Sequence, residues 1–203
     1  GLLGFFKYYN FAASVVNKIL MFEVISLKDI ILPIGISFYT FQSLGYSIDV
    51  YRGDVEKSKD FLTYALFVSF FPQLVAGPIE RSKNLLPQLY KTHRFDYNRV
   101  TDGLVLMAWG FFKKLVISDG AALIVNAVYN DVTKFTGIQL VMATVLFAFQ
   151  IYCDFSGYSD IAIGAANVMG FNLMRNFNHP YFSQNVSQFW RNWHISLSTW
   201  FMD

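Results

Sequence analysis

Three long stretches of this chain contain no Asp, Glu, Lys, Arg or His, and this spacing of charges constrains the fold more than any other feature. They occupy residues 30–48, 61–79 and 135–153, so each is 19 residues long. As a helix, such a stretch extends about 28 Å, at about 1.5 Å per residue. Because the hydrocarbon core of a bilayer is about 30 Å thick, each stretch has the length of a membrane span. The pattern predicts an all-α protein that crosses a membrane several times.

The overall composition supports a membrane protein and excludes several other classes. Charged residues make up 15% of the chain and hydrophobic residues 54%, which excludes a disordered chain. A net charge of +2 is too small for a protein that binds the phosphate backbone of a nucleic acid. The single cysteine, Cys153, excludes an intrachain disulfide framework and a cysteine-rich metal site. The three histidines lack metal-ligand spacing, so no metal is expected.

The uncharged stretches also contain residues that a simple membrane anchor does not need. Prolines, glycines and glutamines interrupt them, at Pro33, Gly35, Gln42, Pro72, Gln73, Gly77, Pro78, Gln139 and Gln150. Irregular backbone at membrane depth is tolerated only where it packs against protein or lines a cavity. The interruptions predict a bundle of tilted and broken helices, as in a channel, a transporter or an intramembrane enzyme. Because residue 1 is Gly and residues 200–203 lack a helix cap, we expect a fragment of a longer chain.

His194 is the strongest candidate for a catalytic side chain. A continuous helix through this region predicts an apolar stripe with His194 and polar neighbours at its edge. The stripe consists of Trp190, Trp193, Leu197, Trp200 and Phe201, and the polar neighbours are Arg191 and Ser198. An imidazole there would pack against aromatic rings and face a polar cleft, which suits a catalytic base. The alternative is an interfacial histidine that hydrogen-bonds a carbonyl group.

Two carboxylates after the third uncharged stretch form a second candidate site. Asp154 and Asp160 flank a polar segment that contains Ser156 and Tyr158. Side chains six residues apart do not share a helical face, which argues against an acid–base pair. We interpret the segment as a solvated break between two helices, with Gly157 at the bend and the polar side chains lining a cavity.

Two further polar segments interrupt the second half of the chain. Lys113 and Lys114 lie within an apolar run and predict a helix that reaches the membrane interface there, with both side chains extending to water. The segment 175–181 is rich in hydrogen-bonding groups, and Pro180 disfavours a helical conformation at His179. This segment is therefore predicted to be irregular, with His179 stabilising it.

Four segments, in a fixed order, carry a resemblance to a known family. They are LPIGISFYTFQ at 32–42, AGPIER at 76–81, CDFSGYSDIAIG at 153–164, and NFN at 176–178 together with the region 190–200. In these segments the chain resembles the membrane-bound O-acyltransferase (MBOAT) family. The forms CDFSGYSD and WHISLSTW resemble its bacterial, alginate O-acetyltransferase-like branch. Residues 1–203 are expected to form one partial MBOAT domain, although Asn192 and Met202 stand where the family pattern has arginine.

The resemblance implies an O-acyltransferase of the bacterial inner membrane, with a funnel of tilted helices around its site. His194 would be the active-site histidine, and a second functional histidine is expected beyond Asp203. The residues expected to bind substrate are Asp154, Ser156, Tyr158, Asp160, Asn178, Trp190, Arg191, Trp193 and Ser198. No bound cofactor is implied, because the acyl donor would be a thioester substrate, either acetyl-CoA or an acyl carrier. The expected partners are membrane lipid, an alginate-like or cell-wall polysaccharide acceptor and extracytoplasmic acetylation proteins, but not nucleic acid.

The residues and the resemblance lead to one hypothesis for the chemistry. A neutral imidazole would take a proton from a sugar hydroxyl, and the oxygen would attack the acyl carbonyl of the donor. Two alternatives stay open. A secondary transporter also uses discontinuous spans and intramembrane carboxylates, although the chain shows no internal repeat. A non-catalytic membrane partner would instead pass acyl groups to a separate transferase.

Overall fold

The regular structure of this chain is helical. The computed structural model describes residues 2–31, 33, 35–74 and 77–202. These residues contain nine α-helices, numbered in chain order: α1 (Leu2–Leu20), α2 (Ile36–Arg52), α3 (Phe61–Val68), α4 (Ser82–Leu89), α5 (Tyr97–Phe111), α6 (Asp119–Tyr129), α7 (Gly137–Met169), α8 (Val186–Asn192) and α9 (Ile195–Met202). Short 3₁₀ turns lie at Phe71–Gln73, Val132–Lys134 and Pro180–Phe182, and a π-helical segment lies at Phe112–Ser118. Since no strand is assigned within the described part of the chain, the all-α prediction is confirmed.

Local sequence signals fix where several helices begin and end. The carboxylates of Asp60 and Asp96 each accept the backbone N–H three residues further on, at 2.7 and 2.9 Å, and so begin α3 and α5. Thr136 and Gln139 form a capping box at the start of α7. The same helix ends at Gly170, whose φ of 100° is a left-handed conformation that glycine adopts without strain. The 33-residue α7 is therefore delimited by its own sequence at both ends.

Two antiparallel helical rods form the frame of the structure. The first is continuous from Tyr97 to Tyr129, because α5, the π-helical segment and α6 follow one another without a break. The second is α7. The hydroxyl of Ser118 donates to the carbonyl oxygen of Gln150 at 3.1 Å, and the hydroxyl of Tyr129 donates to Thr144 at 3.1 Å. These contacts show that the rods run side by side in opposite directions.

Glycines allow the two rods to approach each other to backbone contact. A Cβ added at Gly103 would lie 2.7 Å from the carbonyl oxygen of Gly164, and one at Gly110 would lie 2.7 Å from that of Gly157. The two glycines are seven residues apart on each rod, so they fall on one helical face. Close packing through small residues is typical of helix pairs in membranes, where apolar burial between helices gives little driving force.

Next to these glycines, two lysines of the first rod form ion pairs with carboxylates of α7. The Nζ of Lys113 lies 2.6 Å from Asp160 and donates to the hydroxyl of Ser156 at 3.1 Å. The Nζ of Lys114 lies 2.6 Å from Asp154. Lys113 is only 8% exposed, and a buried ammonium group requires such partners because an unpaired charge is strongly disfavoured at low dielectric.

Two predictions about this region are wrong. The expected break around Gly157 does not exist, because α7 is continuous there and the glycine serves as a contact point with the first rod. Lys113 does not extend to interfacial water, because it is buried and pairs with Asp160 of α7. Lys114 pairs with the partly exposed carboxylates of Asp119 and Asp154, so its position at the membrane interface stays a prediction. The π-helical segment that carries both lysines lets these neighbouring residues pair with Asp154 and Asp160 on one helix.

Among the described residues, α7 alone is both long and apolar enough to cross a membrane. Its 33 residues extend about 50 Å, more than the thickness of the hydrocarbon core. The prediction of three membrane-length spans is therefore corrected. The 30–48 stretch contains part of the 17-residue α2, and the 61–79 stretch contains the eight-residue α3 and a 3₁₀ turn. Parts of the predicted motifs, at residues 32, 34 and 76, lie outside the described residues, as do residues 1, 75 and 203.

A hydrophobic core joins α3, α4 and the C-terminal half of α7. Its buried members are Phe67, Phe70, Leu85, Leu86, Ile163, Ala166 and Leu173. Phe171 packs against it, with its ring centroid 5.0 Å from that of Phe70. Because Phe171 and Leu173 follow directly after α7, this core anchors the start of the irregular segment that leads to α8.

Replacing Gly110 by alanine is expected to destabilise the protein, because the new Cβ would press on the backbone of α7. Overpacking of this kind costs about 1–3 kcal/mol. The matched control is Gly120→Ala, where an added Cβ meets no atom within 4 Å and the better helix propensity of alanine is worth up to about 1 kcal/mol. Thermal unfolding in detergent micelles measures both variants. Equal stability of the two would contradict backbone contact between the rods.

Candidate active site

His194 lies at a sharp turn between two short helices. α8 ends at Asn192 and α9 begins at Ile195. The φ of His194 is 47°, in the left-handed region, which costs a non-glycine residue about 1–2 kcal/mol. The prediction of one continuous helix through His194 is therefore wrong.

Because of this turn, the tryptophans of the predicted stripe pack against different parts of the structure. Trp193 packs against Phe177, with ring centroids 5.1 Å apart. Trp200 packs instead against Phe41 of α2, at 5.0 Å. The single apolar stripe does not form, because the helical period is interrupted between these two tryptophans.

Backbone hydrogen bonds on both sides hold the His194 turn. The N–H of Asn178 donates to the carbonyl oxygen of Asn192 at 3.0 Å, and the N–H of Ile195 donates to the carbonyl oxygen of Asn176 at 2.9 Å. For these few residues the two chain segments form an isolated antiparallel bridge. The turn is therefore fixed from the irregular segment that follows α7.

Side chains beneath the turn form a buried hydrogen-bonded chain. The hydroxyl of Ser196 accepts the N–H of Ile79 at 3.0 Å and donates to Oδ1 of Asn176 at 2.6 Å. The Nδ2 of Asn176 then donates to the hydroxyl of Ser159 in α7 at 3.0 Å. All four residues are buried. Buried hydrogen bonds are costly to leave unmade, so this chain fixes the turn relative to α7.

The segment that follows Ile79 supports the same region. Glu80, which is buried, accepts the N–H of Met174 at 2.7 Å and the side-chain amide of Asn84 at 2.9 Å. Arg81 donates to the carbonyl oxygen of Thr199 in α9 at 2.9 Å. The described part of the predicted motif at 76–81 therefore joins α9 to the segment after α7.

The imidazole of His194 is half-buried against an aromatic ring. Phe155 of α7 contacts it edge-on, with ring centroids 4.6 Å apart. Burial lowers the pKa of His194 below its ordinary value of 6.5, because desolvation disfavours the charged ring. At neutral pH the imidazole is therefore uncharged and able to accept a proton.

A partly enclosed cavity of about 480 Å³ lies beside this turn, within the range of small-molecule sites. Polar side chains from both rods and from the segment after α7 line it, among them Lys113, Ser156, Asp160, Arg175, Asn176 and Asn178. Phe177 also lines it and packs against Phe155, with ring centroids 5.0 Å apart. His194 does not itself line the cavity; Phe155 contacts both its imidazole and the cavity residue Phe177.

The structure brings three of the predicted substrate-binding residues to this cavity. Ser156, Asp160 and Asn178 all line it. Trp193 lies next to them, against the cavity residue Phe177. These four residues and His194 therefore belong to one region of the molecule.

The other predicted substrate-binding residues lie outside the cavity wall. Asp154 is held in its ion pair, and Tyr158 is exposed. Trp190 and Arg191 are exposed on α8, and the hydroxyl of Ser198 lies 3.4 Å from the carbonyl oxygen of Trp190. Substrate binding by any of the nine predicted residues stays a prediction.

Sequence reasoning missed three residues of this region: Lys113, Asn176 and Ser196. A usable signal existed for Lys113, because opposite charges in two apolar segments tend to pair with each other inside a membrane protein. No comparable signal joins Asn176 to Ser196. They are 20 residues apart, and their contact depends on the turn at His194.

Comparison with known proteins decides the family. The model of the membrane-bound O-acyltransferase family matches residues 54–203, which is most of the chain. The chain belongs to the membrane-bound O-acyltransferase family. The resemblance drawn from the four sequence segments is thereby confirmed, and membership implies an integral membrane protein.

Three curated relatives illustrate the similarity. The chain is 44% identical to the probable alginate O-acetylase AlgI of Pseudomonas aeruginosa, over 100% of this chain and 39% of the relative. It is 39% identical to a peptidoglycan O-acetyltransferase of Helicobacter pylori, over 97% of this chain and 42% of the relative. It is 29% identical to a teichoic acid D-alanyltransferase of Bacillus subtilis, over 84% of this chain and 44% of the relative. The similarity agrees with the predicted alginate O-acetyltransferase-like branch, and the chain spans about two fifths of the length of these relatives.

Proposed function

We propose that the protein containing this chain acetylates hydroxyl groups of an extracytoplasmic polysaccharide from the bacterial inner membrane. The observation that carries the proposal is the environment of His194. This residue lies in a strained turn and is half-buried against Phe155, which packs on Phe177 in the wall of a polar cavity. The names of the relatives support it, since they describe O-acetylation of alginate, O-acetylation of peptidoglycan and D-alanylation of teichoic acid. Each name describes transfer of an acyl group to a polymer.

In this reaction His194 would act as the general base. Its neutral imidazole accepts the proton of a sugar hydroxyl while that oxygen bonds to the acyl carbonyl carbon of a thioester donor, acetyl-CoA or an acyl carrier. The carbon–sulfur bond then breaks, and the imidazolium returns its proton to the departing thiolate. The products are a sugar ester and a free thiol. General-base assistance of this kind contributes about 10²- to 10⁴-fold to the rate.

The surroundings of His194 support this chemistry. The rings of Phe155, Phe177 and Trp193 pack together around the turn and would limit the access of water, which otherwise hydrolyses the donor. The adjoining cavity, with Asp160 and Asn178 in its wall, supports the binding of a substrate rich in hydrogen-bonding groups.

Several features of the proposal concern the whole protein. Further membrane-crossing helices, and the second functional histidine expected beyond residue 203, would belong to the remainder of a multi-pass protein. The exposed faces of α7 would contact lipid or the further helices, because only 11% of the residues in its most apolar 18-residue stretch are buried within this chain. Separate acetylation proteins would act with it on the extracytoplasmic side.

Replacing His194 by alanine in the full-length protein is expected to lower acetyl transfer by at least about 10²-fold, because the general base is lost. The measurement is the rate of ester formation by purified protein in liposomes, supplied with an acetyl thioester and an oligosaccharide. The matched control is His93→Gln. His93 packs against Phe171, away from the His194 turn, and its variant should keep most of the activity.

Two outcomes would change the proposal. Unchanged ester formation by folded His194→Ala protein would remove His194 from the chemistry. A wild-type protein that forms sugar esters only after a second transferase is added would favour an acyl relay over direct transfer.

The pH dependence of kcat/KM offers a second test of the base. Because burial lowers the pKa of His194, the neutral form persists below pH 6.5, and activity should decline only as the pH falls through that lowered pKa. Phe155→Ala would expose the ring to water and move this acidic limb upward, towards 6.5.

The control for this shift is Phe147→Ala, on the same helix but in contact with Tyr129. It should leave the acidic limb in place. A wild-type limb at or above pH 6.5 would contradict a buried, neutral His194 as the titrating group.

A further inference from the structure

We infer that Asn176 and Ser196 are positioning residues for His194, whose buried hydrogen bonds hold the imidazole at the angle that proton transfer requires. The inference rests on the proposed function of His194 as a base. Neither residue titrates in the range in which a general base works, so neither is assigned a proton-transfer step. Both act through the conformation of the turn.

The backbone of the turn is strained at His194, where φ is 47°. A left-handed conformation at a non-glycine residue persists only where the surrounding structure over-determines it. Asn176 supplies that constraint, because it binds both residues that follow His194. Its carbonyl oxygen accepts the N–H of Ile195 at 2.9 Å, and its Oδ1 accepts the hydroxyl of Ser196 at 2.6 Å and the N–H of Ser196 at 3.4 Å.

Asn176 also anchors the turn to α7. The Nδ2 of Asn176 donates to the hydroxyl of Ser159 at 3.0 Å. Ser159 follows Phe155 by four residues, so the two lie one turn apart on the same helical face. Phe155 is the ring that contacts the imidazole of His194. The network therefore ties the turn to the helix against which the imidazole rests.

The hydroxyl of Ser196 uses both its proton and its oxygen within the network. A serine hydroxyl has one proton to donate, and that of Ser196 goes to Asn176, while its oxygen accepts the N–H of Ile79. Ser196 is fully buried and Asn176 is 1% exposed, so bulk water has little access to replace a lost partner. Removing this hydroxyl would leave the N–H of Ile79 without its acceptor and Oδ1 of Asn176 with only the N–H of Ser196, at 3.4 Å.

The test is Ser196→Ala in the full-length protein, with kcat and KM measured separately. A base displaced by about 1 Å can cost about 10²-fold. The expected result is a fall in kcat of about 10- to 100-fold, with the KM for the acyl donor changed less than about twofold. The matched control is Ser187→Ala, an exposed serine on the neighbouring α8, which should leave both constants unchanged.

A double-mutant cycle that combines Ser196→Ala with Asn176→Ala shows whether the two residues act as one unit. If both position His194, the double variant should be no slower than the slower single variant. Independent structural roles would instead multiply the two losses, and that result would overturn the inference. A rise in KM with an unchanged kcat would also overturn the inference.

Ser159→Ala provides a milder variant in case Ser196→Ala does not fold. It removes one acceptor at the far end of the network, and alanine is favourable within α7. Its kcat should fall by about 2- to 10-fold, and an unchanged kcat would overturn the inference.

Failure of the inference and failure of the proposed function are distinguishable. Full kcat in folded Ser196→Ala protein, together with an inactive His194→Ala protein, would refute positioning and leave the base in place. Full activity in His194→Ala protein would refute the base itself.

Discussion

Backbone contact between the two helical rods, made possible by two pairs of facing glycines, is the constraint on which the rest of the structure depends. The contacts fix the register of α7 against the first rod. In that register Lys113 meets Asp160, and a buried charge is compensated where an apolar environment would otherwise exclude it. The same register sets the face of α7 that carries Phe155 and Ser159 towards the His194 turn.

The site is built on this frame from segments that are not regular helix. The chain after α7 leaves the hydrophobic core at Leu173, and Asn176 then binds the residues that follow His194. The groups of Asn176 and Asn178 that hydrogen-bond to the residues flanking His194 are neutral. This arrangement suits a general base. The hydrogen-bonded turn orients the imidazole, and burial against aromatic rings disfavours its charged form.

Features that depend on composition or on contiguous motifs could be predicted from the sequence. The helical class, the family and the position of Ser156 and Asp160 at a cavity follow from such local patterns, whereas Asp154 and Tyr158, predicted to line the same cavity, lie outside its wall. The errors arise where distant residues decide. Gly157 alone predicts a bend, because the sequence does not show its contact with the first rod. The helical period across His194 is interrupted at a turn whose following residues hydrogen-bond to Asn176. The lengths of the uncharged stretches likewise overestimate the lengths of the helices, since an absence of charge does not reveal an interruption such as the 3₁₀ turn around Pro72.

Chemical rescue tests most directly whether His194 accepts the proton. Glycine adopts the left-handed φ of 47° without strain, so full-length His194→Gly protein should fold and leave a gap the size of the imidazole ring. Free imidazole added to this variant should restore ester formation in a saturable manner, with no such gain in wild-type protein. Full activity of His194→Gly protein without added imidazole would contradict a histidine base.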